Sequence, residues 1–336
     1  MTSTTLPQPR FTQRKLVLFL LDHIIEVFLL ALIIFLALTS HGFMTWANWT
    51  NILRSNSLKG VIAFGMSMVI IAGLIDLSIG STVAIAGVIV ARACRDLVGI
   101  GVDVNIACVI GIAAAFGVAI ALGWGHGFFQ HKMGMPAFIV TLVSLAVVYG
   151  LAGMLAGGYP IANQFPTWFN QIGGGRVGGQ SGLPIPAIIF GVSFLIVLFI
   201  MNYTTTGRSV YGVGGNPESA RLSGINVYKT KVVAFIAVQV FAVIAGIMNS
   251  GQVMAGSYSF GRGWELDVIS AVVIGGASMS GGIGSIWGTL LGVLFIGVMT
   301  NGMTLLNLDL YTQYVIRGLV MGLAVLISSY RAKAKM

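Results

Sequence analysis

Apolar runs alternate with short polar, charged or glycine-rich breaks along the whole chain. Hydropathy places the runs at 16–38, 58–75, 79–93, 104–122, 135–156, 183–201, 232–248, 266–280, 283–303 and 311–327. Many approach the ~20 residues that carry an α-helix across the hydrocarbon core of a bilayer. Backbone groups find no water there, so such runs fold as helices. The pattern predicts an all-α, polytopic transmembrane helical bundle of about ten spans. The first run lacks a small-residue cleavage site and is too long for a removable leader, so it is expected to be retained.

Composition agrees. Of 336 residues, 57% are hydrophobic and 8% charged, against roughly 25% charged in a soluble domain. Mean hydropathy is +0.94. The net charge of +9 is not gathered into a stripe for nucleic acid; it sits between apolar runs, where it orients spans. With the N-terminus inside, the inner segments hold Arg10, Arg14, Lys15, Lys132, Arg208, Arg221, Lys229, Lys231, Arg331, Lys333 and Lys335, eleven in all. The outer ones hold six: Arg54, Lys59, Arg92, Arg95, Arg176 and Arg262. Arg317 falls within the last span, where it snorkels or pairs with a neighbour. Both termini are therefore expected in the cytoplasm. The layout is a tail at 1–15, one membrane domain at 16–330 with a cytoplasmic loop at 202–230, and a tail at 331–336.

Chemistry-bearing motifs are few. Cys94 and Cys108 give neither a disulfide framework nor metal spacing, and His23, His41, His126 and His131 are scattered. The glycines of the GGIGSIWGT stretch have no lysine to meet a phosphate. No catalytic residue, metal site or resident cofactor is expected.

Two connections are long. The segment 157–182 is glycine-rich and expected outside. The segment 202–230 is the most charged part of the chain. In it Asn216-Pro217-Glu218 has the form of a helix start and Gly224 of a stop about two turns later. A short capped helix under a membrane domain either docks a partner or ties two spans together.

Glycine supplies 46 residues, which predicts close helix packing. A faint internal echo joins Ile79-Gly80-Ser81 to Ile283-Gly284-Ser285. Glycine-interrupted apolar segments in corresponding places point to a transporter's solute path. Asp76, in GLIDLSIGS, is the clearest ionisable candidate inside the spans. It either stabilises a broken helix or lines the path, or it is a helix-end carboxylate at the interface. Glu265 and Asp267 fit the positive end of a helix dipole. Ser67, Ser78, Ser81, Thr141, Ser144, Gln239, Asn249, Gln252, Ser270, Ser285, Thr300 and Asn301 are neutral polar groups that either meet a hydroxylated solute or bridge helices. Both Gly-Ser turns are expected on the inner side, flanking the solute's exit.

The segment Gly214-Gly215-Asn216-Pro217-Glu218-Ser219-Ala220-Arg221-Leu222-Ser223-Gly224-Ile225 resembles the GGN-x-x-A-A-x-x-x-GI stretch of ribose/galactose/arabinose-type ABC permeases. It is similar as well to the general EAA-x-x-x-G coupling motif, with Ser219 in the middle place. IDLSIGS (75–81), MPAFIVTL (135–142), ELDVISAVVIGG (265–276) and SGGIGSIWGTLLG (280–292) follow in the family's order. One departure is Gly73-Leu74, where the family often has two glycines. The resemblance implies an inner-membrane subunit that pairs with a second permease. It also implies a cytoplasmic ATPase that holds the ATP and Mg, and a periplasmic sugar-binding protein. Asn216, Glu218, Ser219, Ala220, Arg221, Leu222 and Gly224 would then contact the ATPase. The remaining alternatives are an ion-coupled secondary transporter, a channel or scaffold, and a related permease for an amino acid or other small polar solute.

Overall fold

The computed structural model describes residues 24–162, 165–179 and 181–334. The expected tail 1–15, the first residues of the first span, Gln180 and the last two residues lie outside them. The long helices are α1 (Ile24–Thr39), α2 (Trp46–Ile71), α3 (Ile79–Gly99), α4 (Val104–Lys132) and α5 (Ala137–Ala156). A short α6 (Phe169–Gly174) precedes α7 (Ile185–Tyr203), and α8 (Thr205–Gly215) and α9 (Pro217–Leu222) lead into α10 (Val227–Val253). The chain ends with α11 (Trp264–Ile274), α12 (Ile286–Leu305) and α13 (Leu310–Ala334). Two-residue strands decorate the connections: β1 (Ile161–Ala162) pairs antiparallel with β4 (Ala255–Gly256), and β2 (Arg176–Val177) with β3 (Leu183–Pro184).

Local chemistry sets many of the helix starts. Thr45, Asp103, Thr204, Asn226 and Ser285 each accept a hydrogen bond from a first-turn N–H of α2, α4, α8, α10 and α12, meeting donors that have no partner inside the helix. Among the described residues, α4, α5, α7, α10 and α12 are long and apolar enough to cross a membrane.

Helix α10 is the axis of the bundle. In its most apolar window 67% of residues are buried inside the protein, against 22% for α5, which turns most of its surface outward. It packs on α2, α3, α4 and α6. Contact with α4 is close because Gly123 and Gly127 lie directly against the main chain of Ile236 and Val232. Lipid offers no hydrophobic reason for helices to associate, so small residues that bring backbones together supply the packing.

The ends of the bundle can be told apart. One, the near end, carries α8, α9 and the start of α10; the other, the far end, carries the β pairs. Gln239 lies twelve residues beyond the start of α10, about 18 Å up at ~1.5 Å per residue. It hydrogen-bonds Asp76 and Ser78, so the chain climbs non-helically through 72–78 and α3 begins near mid-depth. Helix α11 also begins there, since the Gly261 carbonyl abuts Gly80. With 11 residues, about 16 Å, it is too short to cross a ~30 Å core alone.

These starts correct the expected layout. The two Gly-Ser turns do not share a level: Asp76–Ser81 sits at mid-depth and Ser280–Ser285 at the near end, where Gly282 donates its N–H to Ile71 O at 2.8 Å. The span expected from residue 58 begins at Trp46, so Trp46 and Trp49 belong to the first turn of α2. The 202–230 loop folds into two helices, where only α9 was anticipated.

Candidate functional site

At mid-depth the break before α3 is held by a buried polar network. Asp76 is fully buried. Its Oδ1 accepts from Ser78 N at 2.8 Å and Ser78 Oγ at 2.6 Å. Its Oδ2 accepts from Gln239 Nε2 at 2.8 Å, and that nitrogen also reaches Ser78 Oγ. Gln239 Oε1 accepts from Thr82 Oγ1 at 2.5 Å. A carboxylate buried at this depth persists only when its lone pairs are met. The donors here come from its own turn and from the axial helix. His126 on α4 brings Nδ1 to 3.4 Å from Asp76 Oδ2, out of hydrogen-bond alignment.

Beside this network two helix starts meet face to face. A Cβ placed on Gly80 would lie 2.5 Å from Gly261 O, 2.6 Å from Glu265 Oε2 and 3.0 Å from Tyr149 Oη. Glu265 Oε2 and Tyr149 Oη are both buried without a hydrogen-bond partner. The Arg262 guanidinium lies over the Tyr149 ring. Ser81 donates to Ser78 O at 2.7 Å, and Thr141 to Ala137 O at 3.0 Å with Ile75 O at 3.4 Å. Asp76, Ser78, Gly80, Ser81, Thr141 and Gln239 thus come together at one level.

The other candidates lie elsewhere. Asn301 exchanges hydrogen bonds with Asn48 toward the far end, joining α12 to α2. Ser67 and Thr289 pair hydroxyls at 2.7 Å inside the bundle. Asn249 is half-buried near the end of α10. Gly284 and Ser285 stand at the near end, where Ser285 caps α12.

That near end carries a second construction. Asn216 Oδ1 accepts from Glu218 N and Ser219 N, both at 3.0 Å, and starts α9. Pro217 occupies the first turn, and Gly224 turns the chain away at φ +83°. Glu218 and Arg221 are exposed and joined by two hydrogen bonds of 2.6 and 3.0 Å. Arg221 holds the Glu218 carboxyl below the usual carboxylate range. Ala220 is buried with Val213 and Val227, so α9 is fastened to α8 and α10. Gly214 of α8 lies so close to Ile71 O and Gly282 N that a Cβ would overlap both. Tyr211 donates its hydroxyl to Gly284 O at 2.9 Å. The α8–α9 unit therefore rests directly on the end of α2 and on the 278–285 turn.

Sequence reading missed Tyr211, Tyr149, His126 and the partnership of Lys59 with Asp267 and Arg317. A lysine midway along an apolar helix was the one available signal for the last of these.

Helices that restart at mid-depth are a recurring feature of transporter membrane domains. The chain belongs to the family described as branched-chain amino acid transport system / permease component, which matches residues 48–325. It is 36% identical over 301 residues to the ribose import permease protein of Escherichia coli K12, covering 90% of this chain and 91% of that one. The Bacillus subtilis ribose import permease is 36% identical over 300 residues, 89% and 90% of the two chains. The L-arabinose transport system permease protein of Escherichia coli K12 is 34% identical over 294 residues, 88% and 86%. No solved structure matches the chain. The protein is a multi-pass permease of the bacterial inner membrane.

Proposed function

We propose that this chain is the membrane subunit of a binding-protein-dependent importer that moves a monosaccharide inward, driven by ATP hydrolysed on a separate ATPase. The observation that carries the reading is the α8–α9 unit. Its outer face presents Glu218, Arg221 and Leu222 to a partner, and on its inner face Gly214 meets Ile71 and Gly282 main chain to main chain. A push on α9 is thereby delivered to the two chain breaks. In this reading the ATP and Mg stay on the ATPase, a periplasmic binding protein delivers the sugar, and a second permease completes the path. The chain crosses ten times with both termini cytoplasmic. Helix α11 completes its crossing through the irregular 255–263 stretch, and α3 completes its own through 72–78.

A sugar is preferred to an amino acid because the ribose and arabinose permeases align over most of their length. A neutral polyol also suits the hydroxyls and amides at mid-depth. Ion coupling is disfavoured because Asp76, the central carboxylate, has both oxygens engaged by donors.

The test is uptake of labelled ribose, arabinose and leucine in cells with and without the gene, the ATPase and binding protein being supplied. Sugar uptake that needs this chain and stops when the ATPase is inactivated is the expected result. Uptake of leucine alone would overturn the sugar assignment.

A further inference from the structure

A second polar cluster stands at mid-depth, outside the residues proposed above. Lys59 sits halfway along α2, Asp267 in the first turn of α11 and Arg317 two turns into α13. Lys59 Nζ donates to Asp267 Oδ2 at 2.5 Å, and Arg317 Nη1 is 3.7 Å from the same oxygen. A cavity of about 540 Å³ opens on this cluster between α11, α12 and α13, within the ~300–1,000 Å³ usual for small-molecule sites. Trp264, Tyr314, Ile296 and Met299 are among the residues that line it.

Interhelical bonding alone does not account for this arrangement. Arg317 Nη2 also donates to Gln313 Oε1 at 3.4 Å, and Lys59 and Arg317 lie over one face of the Trp264 and Tyr314 rings, respectively. Yet an ammonium carries three donors and a guanidinium five, so N–H groups stay unused. Arg317 Nε is buried and has no partner. The three side chains keep 30%, 21% and 19% of their surface open, and the void lies beside them. Helix α11 starts at Gly263, which brings no side-chain acceptor to its first N–H groups, and Gly263 lines the same cavity.

We propose that this cavity is a monosaccharide subsite within the membrane domain, so that the permease itself, and not only its binding protein, recognises the solute. Hydroxyls satisfy the site from both sides: they accept from Lys59 and Arg317 and donate to Asp267. The C–H face of a sugar ring packs on Trp264 or Tyr314, as apolar ring faces do. An anionic lipid headgroup fits less well, because Asp267 stands between the cations and repels it.

The proposal rests on the sugar-permease reading, and its test separates the two. The purified full-length chain in nanodiscs, without ATPase or binding protein, is titrated with D-ribose and L-arabinose by saturation-transfer NMR. Ring-proton signals are expected from wild type, at least tenfold weaker in Asp267→Asn. They should be equally weak in Ile296→Trp, which fills the cavity from α12 and leaves the charges in place. Both variants should melt within a few degrees of wild type. Absent wild-type signals, or undiminished signals in both variants, overturn the subsite even if uptake in cells still requires this chain. Retention of a co-purified anionic lipid that Arg317→Gln releases, with no sugar signal, assigns the cavity to lipid. Loss of all monosaccharide uptake dependence in cells overturns the functional reading instead.

Discussion

Asp76 shows how a single residue can decide whether a break in a membrane helix is stable. Its three hydrogen bonds come from Ser78 N, Ser78 Oγ and Gln239 Nε2, so the carboxylate closes the non-helical climb onto α10. Gln239→Leu removes a donor to Asp76 and the acceptor used by Thr82. A buried polar group left unmet costs about 1–3 kcal/mol, so the variant should unfold measurably earlier in detergent; an unchanged midpoint would contradict the role given to the network. Two glycines separate packing from motion. At Gly80 a side chain meets the Gly261 main chain, whereas at Gly284 it meets the Ile71 side chain and Ala277 Cβ. Gly80→Leu is therefore expected to lower the yield of folded protein severely. Gly284→Leu should assemble with the ATPase and lose uptake, and equal yields for the two would refute the distinction.

At the scale of elements, α8 and α9 are packed as one unit, which the coupling role proposed above uses as a lever. Glu218→Arg replaces half of an exposed ion pair with a like charge, and Gly224→Trp forces a side chain onto a residue at φ +83°, which only glycine adopts freely. Both variants should insert normally, and complexes of them with the ATPase should hydrolyse ATP without uptake; normal uptake at normal expression in both would remove α9 from the coupling path. Gly214→Val should break the joint with α2, whereas Gly215→Ala points a methyl into open space and should transport as wild type. The capped α9 was legible in the sequence because Asn216, Pro217 and Gly224 act through contacts within a turn. Helix α8 was not: TTGRSVYGVGG carries β-branched residues and four glycines, poor helix formers that tertiary packing overrides. The mid-depth starts of α3 and α11 were equally hidden, because hydropathy reports what enters the membrane and not how far it climbs before turning helical. Lys59 and Asp267 are 208 residues apart, a pairing that no local pattern encodes.

The whole molecule is a bundle with two unlike ends, and its orientation in the membrane follows from where the chain's landmarks fall. The near end holds α8, α9 and the start of α10. The far end holds the start of α2, where Trp46 Nε1 donates to Ser181 O at 2.7 Å and fastens the 157–184 connection. Helix α13 runs 25 residues, about 37 Å, long enough to return from the Asn301–Asn48 level to the near end. In the ten-crossing arrangement proposed above Ser3 and Ala334 both belong to that side, and the excess of basic residues expected in its segments would make it the cytoplasm. Single cysteines test this directly, since Cys94 and Cys108 are buried in one apolar cluster and give little background. Cysteines at Ser3 and Ala334 should react only with maleimides that enter the cell, and one at Gln180 with an impermeant reagent added outside. Labelling of both termini from outside would invert the protein and put α9 beyond reach of any ATPase. Labelling of the termini from opposite sides would mean an odd number of crossings, and the short α11 would then be the crossing to discard.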